Sequence, residues 1–118
     1  MLKFIENDGK PTTGNLVLAK QLHFNMSRKK KFPRESAVNM TELVLPNDTN
    51  TFGNLMGGRL MYWMDIAAAL AAMKHCGAPV VTASVDNISF ENPIKLGNVV
   101  HIEASLTRSF NSSMEVHL

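Results

Sequence analysis

With one cysteine, Cys76, the chain has no second thiol for an internal disulfide, which fits a reducing cytoplasm. There is no apolar run of bilayer-spanning length, and no basic segment leads into an apolar secretory core, so a cytoplasmic location is expected. The four histidines, His23, His75, His101 and His117, lack metal-ligand spacing such as an i, i+4 helical pair, so no metal is implied. No glycine-rich nucleotide loop follows a strand and there is no Gly-x-Ser-x-Gly elbow, which excludes a serine hydrolase of the α/β type. His75 and Cys76 are adjacent, so on a helix they point in different directions, and a Cys nucleophile has little support. Charge of one sign is also scarce, with 12 Lys and Arg against 10 Asp and Glu. Much of the small excess lies in Arg28-Lys29-Lys30-Lys31 and Arg34, where Phe32 is the one interleaved aromatic. That run reads as a solvated tail rather than a nucleic-acid or membrane contact.

What the chain does have is concentrated in Asn47 to Asp65, NDTNTFGNLMGGRLMYWMD. Residues 47–54 are rich in Asn, Asp, Thr and Gly, which tolerate tight turns or bond their own backbone. Beyond Gly57-Gly58 the apolar spacing becomes helical, and the helix is expected from about Gly58 to Cys76, stopped by Gly77 and Pro79. The glycines then sit in its first turn, where unpaired N–H groups and the absence of Cβ suit a carbonyl oxygen, an oxyanion or a phosphate. Met61, Met64, the alanines 67–69, Leu70, Ala71, Ala72 and Met73 make the helix apolar nearly all round, which predicts a buried helix with a sheet packed closely on it. Asp65 interrupts this run, flanked one turn away by Met61, Tyr62, Ala68 and Ala69, none of which can balance a carboxylate. Such an acid is either tied to donors from elsewhere in the fold or acts as an acid or base. Asn54 stands where the helix begins and reads locally as its N-cap.

Further along, Val81, Ala83 and Val85 alternate with Thr82, Ser84 and Asp86, and the phase then slips so that Ile88 and Phe90 carry the apolar face. The slip predicts a β-bulge at Asp86-Asn87. A turn through Pro93 and Gly97-Asn98 leads to a strand with Val100, Ile102, Ala104 and Leu106 on one face, and after Asn111-Ser112-Ser113 another begins with Met114, Val116 and Leu118. Met1 to Glu35 are expected to form a polar and basic extension apart from the domain of residues 36–118, with no part in the site. Leu16, Val17, Leu18, Leu22 and Met26 could make a marginal amphipathic helix within it.

From Ser36 onward the chain resembles the hotdog-fold acyl-CoA thioesterases, the bacterial acyl-CoA hydrolases and their brain-type and cytosolic relatives. The likeness rests on an ordered set: the Asn/Asp loop, Gly53-Asn54 before Gly57-Gly58, Met64-Asp65 in the helix, the Val81–Asn87 stretch followed by Phe90, and Pro93 before the Gly97-Asn98 turn. The resemblance implies an α+β hotdog fold, an antiparallel sheet wrapped around the helix, with subunits paired edge to edge as dimers or trimers of dimers. It implies hydrolysis of acyl-CoA to CoA and a free acid, with CoA part of the substrate and no further cofactor. Asp65 would be the catalytic carboxylate, as general base on a water or, as the alternative, by direct attack to give an anhydride, and Asn54 its polar partner, one from each subunit. Gly57 and Gly58 would polarise the thioester carbonyl, and Arg59, Asn87, Arg108, Asn111, Ser112 and Ser113 are candidates for binding the substrate. Family members extend beyond Leu118 through the rest of the last strand and one more, so the C-terminal part of the sheet is expected to be incomplete or supplied by another chain. The competing reading is a hotdog module that binds acyl-CoA without hydrolysing it. A hotdog dehydratase is a third, disfavoured because those members resemble a different local motif.

Overall fold

The computed structural model describes residues 2–6 and 32–118. One long helix, α1 (Gly57–Cys76), lies against a five-stranded antiparallel sheet of β1 (Leu2–Glu6), β2 (Val38–Leu43), β3 (Val80–Val85), β4 (Val99–Ser109) and β5 (Ser113–His117). The strand order is β2-β4-β5-β1-β3. This is the helix wrapped by a sheet that the resemblance implies. Helix α1 ends as the sequence predicts: Gly77 adopts φ 71°, a left-handed conformation, and its N–H caps the Met73 carbonyl.

The core is built where the alanines meet the sheet. Ala67, Ala68, Ala71 and Ala72 are fully buried, together with Trp63, Val44 and the alternate residues Ile102, Ala104, Leu106, Met114 and Val116. Methyl side chains let the helix approach the strands closely, and the period-two pattern of β4 and β5 supplies the facing layer. The expectation of an apolar helix buried all round is corrected: Met61, Tyr62 and Leu70 are exposed, so about half of the circumference of α1 is left uncovered.

Three features depart from the sequence reading. The phase slip at Asp86-Asn87 is the end of β3 rather than a bulge, and Asn87 turns the chain with φ 50°. The irregularity lies within β3 instead, where Lys3 pairs with Ser84 and Phe4 with Thr82, so that Ala83 has no opposite number. In addition, Leu2–Glu6 are not part of a detached tail: they form a strand between β5 and β3, paired antiparallel with both. Arg28 to Lys31 of the basic run and the proposed helix from Leu16 to Met26 lie outside the described residues, whereas Arg34 sits in a 3-10 turn beside the Phe32 ring.

Candidate active site

The loop before α1 is held by its own polar side chains. Asn50 Oδ1 accepts the N–H groups of Phe52 and Asn54, at 3.0 and 3.2 Å. The main chain closes the same turn, Asn50 N–H donating to Asn54 O and Gly53 N–H to Asn50 O. Gly53 sits at φ 74°, a conformation in which a Cβ is strained. Asp48 anchors the loop to the helix: its Oδ2 accepts the Leu45 N–H at 2.9 Å, and its Oδ1 takes Arg59 Nε at 2.8 Å. The segment leading into β4 clamps the far side, with Leu55 N–H donating to Ile94 O and Leu96 N–H to Gly53 O.

This arrangement moves the helix start. The N-cap is Met56, with no side-chain cap, and Asn54 is two residues upstream in the loop, so the N-cap role read for Asn54 is corrected. Gly57 and Gly58 occupy the first two helical positions, whose N–H groups have no acceptor within the helix. They face different spaces. Gly57 lies under the Phe90 ring, where an added Cβ would come within 3.4 Å of Cζ, whereas no atom lies within 4 Å of a Cβ built on Gly58.

Asp65 is half-buried, two turns along α1. Its partner comes from the sheet: Thr82 Oγ1, on β3, donates to Asp65 Oδ1 at 2.6 Å. The two residues line a cleft of about 300 Å³ with Gly58, Met61, Tyr62 and Ile88. The hydroxyl fixes one carboxylate oxygen, and Oδ2 has no hydrogen bond among the described residues. Nothing in the alternation of β3 marks Thr82, because a threonine at that spacing reads as the solvated face of a strand.

The remaining predicted residues are distributed more widely. Asn54 and Gly57 line a second cleft with Leu60, Phe90 and Pro93, so within one chain Asn54 and Asp65 face different spaces. Asn87 borders a third, beside Phe90 and His117. Arg59 is engaged with Asp48. Arg108, Asn111, Ser112 and Ser113 lie at the β4–β5 hairpin and line none of these three clefts. His75 and Cys76 serve the end of the helix, His75 Nδ1 hydrogen-bonded to the buried Ser36 hydroxyl at 3.0 Å and Cys76 Sγ donating to Ala78 O.

A sequence profile of the thioesterase superfamily matches residues 52–118. Mouse acyl-coenzyme A thioesterase 11 is 46% identical over 91 residues, 77% of this chain and 15% of that protein. The structure of an acyl-CoA hydrolase from Staphylococcus aureus with butyryl coenzyme A and coenzyme A superposes with a TM-score of 0.69 at 44% identity, covering 71% of this chain and 51% of that one. Variants of the S. aureus enzyme with an aspartate, an asparagine or a threonine changed to alanine superpose equally well. The hexameric thioesterase y2039 from Yersinia pestis matches at 36% identity and a TM-score of 0.63, over 65% of this chain and 63% of that one. The chain thus spans about half the length of the S. aureus enzyme and a smaller share of the mouse protein. A helix with a glycine start and one inward acid, wrapped by an antiparallel sheet, together with these matches, shows that the chain belongs to the thioesterase superfamily, with the hotdog fold.

Proposed function

We propose that the protein hydrolyses acyl-CoA thioesters to CoA and a free carboxylic acid. The observation that carries this reading is Asp65, held through one oxygen by Thr82 at 2.6 Å and lining a cleft that begins at the helix N-terminus. Asp65 takes a proton from a water, which attacks the thioester carbonyl. The carbonyl oxygen, becoming an oxyanion, rests on the N–H groups at the Gly57-Gly58 helix start of the other chain in a dimer, where the partial positive charge of the helix end favours it. Collapse of the tetrahedral intermediate breaks the C–S bond. The thiolate of CoA takes the proton back from Asp65, and the acyl group leaves as the acid.

The asparagine in this mechanism is better assigned to Asn50 than to Asn54. In the S. aureus enzyme the altered asparagine lies fifteen residues before the altered aspartate and the altered threonine seventeen after it. Counted from Asp65, the same intervals reach Asn50 and Thr82. The local chemistry agrees: with Oδ1 committed to two backbone N–H groups, Asn50 presents its NH₂ as a donor, suited to a thioester carbonyl or to the attacking water. Asn54 uses its main chain in the turn.

One chain does not bring the two together. Asp65 is eight residues into a helix that rises ~1.5 Å per residue, and the Asn50 loop lies before its start, too far for both to contact one water. The exposed edge strand β3, with Val81 51% and Val85 41% exposed, and the uncovered Met61 and Tyr62 support a second subunit packing there. The active species is therefore a dimer or a dimer-based oligomer in which each site takes its asparagine from one chain and its aspartate from the other. Arg59, Arg108 and the residues 111–113 are the cations and donors available to CoA phosphates across such an assembly.

Free-thiol release from a panel of acyl-CoA thioesters tests this reading. Turnover that disappears in Asp65→Asn supports it. CoA binding with no turnover of any thioester would mean that the domain is a non-catalytic acyl-CoA module.

A further inference from the structure

Strand β3 holds the hydroxyl that fixes Asp65, yet its sheet hydrogen bonds, among the described residues, run to one neighbour, β1. That neighbour comes from the opposite end of the chain. Leu2 pairs with Val85 on one side and Val116 on the other, and Phe4 with Thr82 and Met114. Adjacent strands lie about 4.8 Å apart, so with β1 withdrawn β3 and β5 would face each other across roughly 10 Å, beyond any hydrogen bond. Every residue of β3 after Val80 is exposed, so packing on the core holds it weakly. The pairing also breaks step beside the site, Ala83 lying between the residues opposite Lys3 and Phe4, which aligns Thr82 with Phe4.

We propose that the gap between β5 and β3 is a strand-binding slot occupied by the chain's own Leu2–Glu6, and that this strand positions Thr82 on Asp65. The slot takes one extended segment, antiparallel to both walls. Because β4 already holds the other edge of β5, any second strand reaching β5 must displace β1. Leu2–Glu6 is thus a positioning element rather than part of the catalytic apparatus. Its effect on turnover rests on the hydrolase reading above; its effect on β3 does not.

The test uses the full chain. Phe4→Pro removes a backbone donor from a strand flanked on both edges. Amide hydrogen exchange in Val80–Val85 is expected to quicken about tenfold or more, while Val100 to Leu106 keep their protection and acyl-CoA hydrolysis falls in step. Unchanged protection of β3 would overturn the proposal. Loss of β3 protection with hydrolysis intact would do the same. If wild-type protein hydrolyses no thioester but β3 still responds, the hydrolase reading falls and the slot stands. Should the proline loosen the whole sheet, a second variant decides. Lys3 and Glu115 are opposite each other in register, so Lys3→Cys with Glu115→Cys, in a Cys76→Ser background, should form an intrachain disulfide under mild oxidation. No disulfide, or one that joins two chains, would show that the chain's own strand does not fill the slot.

Discussion

Single side chains carry the chemistry. Asp65→Asn preserves the shape of the site and its contact with Thr82 but removes the base, so kcat should fall about 10²-fold or more while binding of CoA, measured by calorimetry, changes little. Thr82→Ala frees the carboxylate to rotate. A hydrogen bond to a charged group contributes about 1.5–3 kcal/mol, so kcat should drop roughly 10- to 100-fold, with most of it restored in Thr82→Ser, which keeps the hydroxyl. An equal loss in the alanine and serine variants would show that the methyl group, not the bond, matters. Of the proposed site, Asp65 was legible in the sequence as an acid with no partner on its own apolar helix. Thr82 was not, because a polar residue on an alternating strand is the ordinary mark of a solvated face. Asn50 was hidden for another reason: among eight turn-forming residues nothing local separates the asparagine that braces the loop from the one that follows it.

Loop and helix are joined as one unit by Asp48, which is 7% exposed and binds Leu45 N–H and Arg59 together. Asp48→Ala leaves the Leu45 donor without that acceptor, and should lower the unfolding free energy by about 1–3 kcal/mol and raise KM, as read by denaturant titration and steady-state kinetics. In the body of α1, Ala68 is fully buried against the sheet, and Ala68→Leu should destabilise the fold by about 1–3 kcal/mol through overpacking. Helix α1, β4 and β5 could be read from the sequence because each carries its own periodicity and its own stop: the left-handed Gly77, the turn at Gly97, the Asn111–Ser113 hairpin. The N-terminal strand could not, since five residues give too short a pattern and its partners lie at the other end of the chain.

At the scale of the whole molecule the proposed site is one shared between two chains. Mixing inactive Asn50→Ala with inactive Asp65→Ala subunits should restore up to about one working site per mixed dimer, because one of its two sites then has both wild-type residues. An active monomer by light scattering, or no rescue after proven subunit exchange, would contradict the composite site. The sheet order also has a consequence in time. Strand β1 precedes the other described strands in the chain, but its partners Val80–Val85 and Ser113–Val116 are the third and fifth of the five. At roughly 5–20 residues per second, synthesis keeps β1 waiting for several seconds before its slot exists. Closing so long a stretch of chain is slow compared with forming the β4–β5 hairpin. Seating of the first strand is therefore the late step of folding, and the residues that assemble the site wait on it.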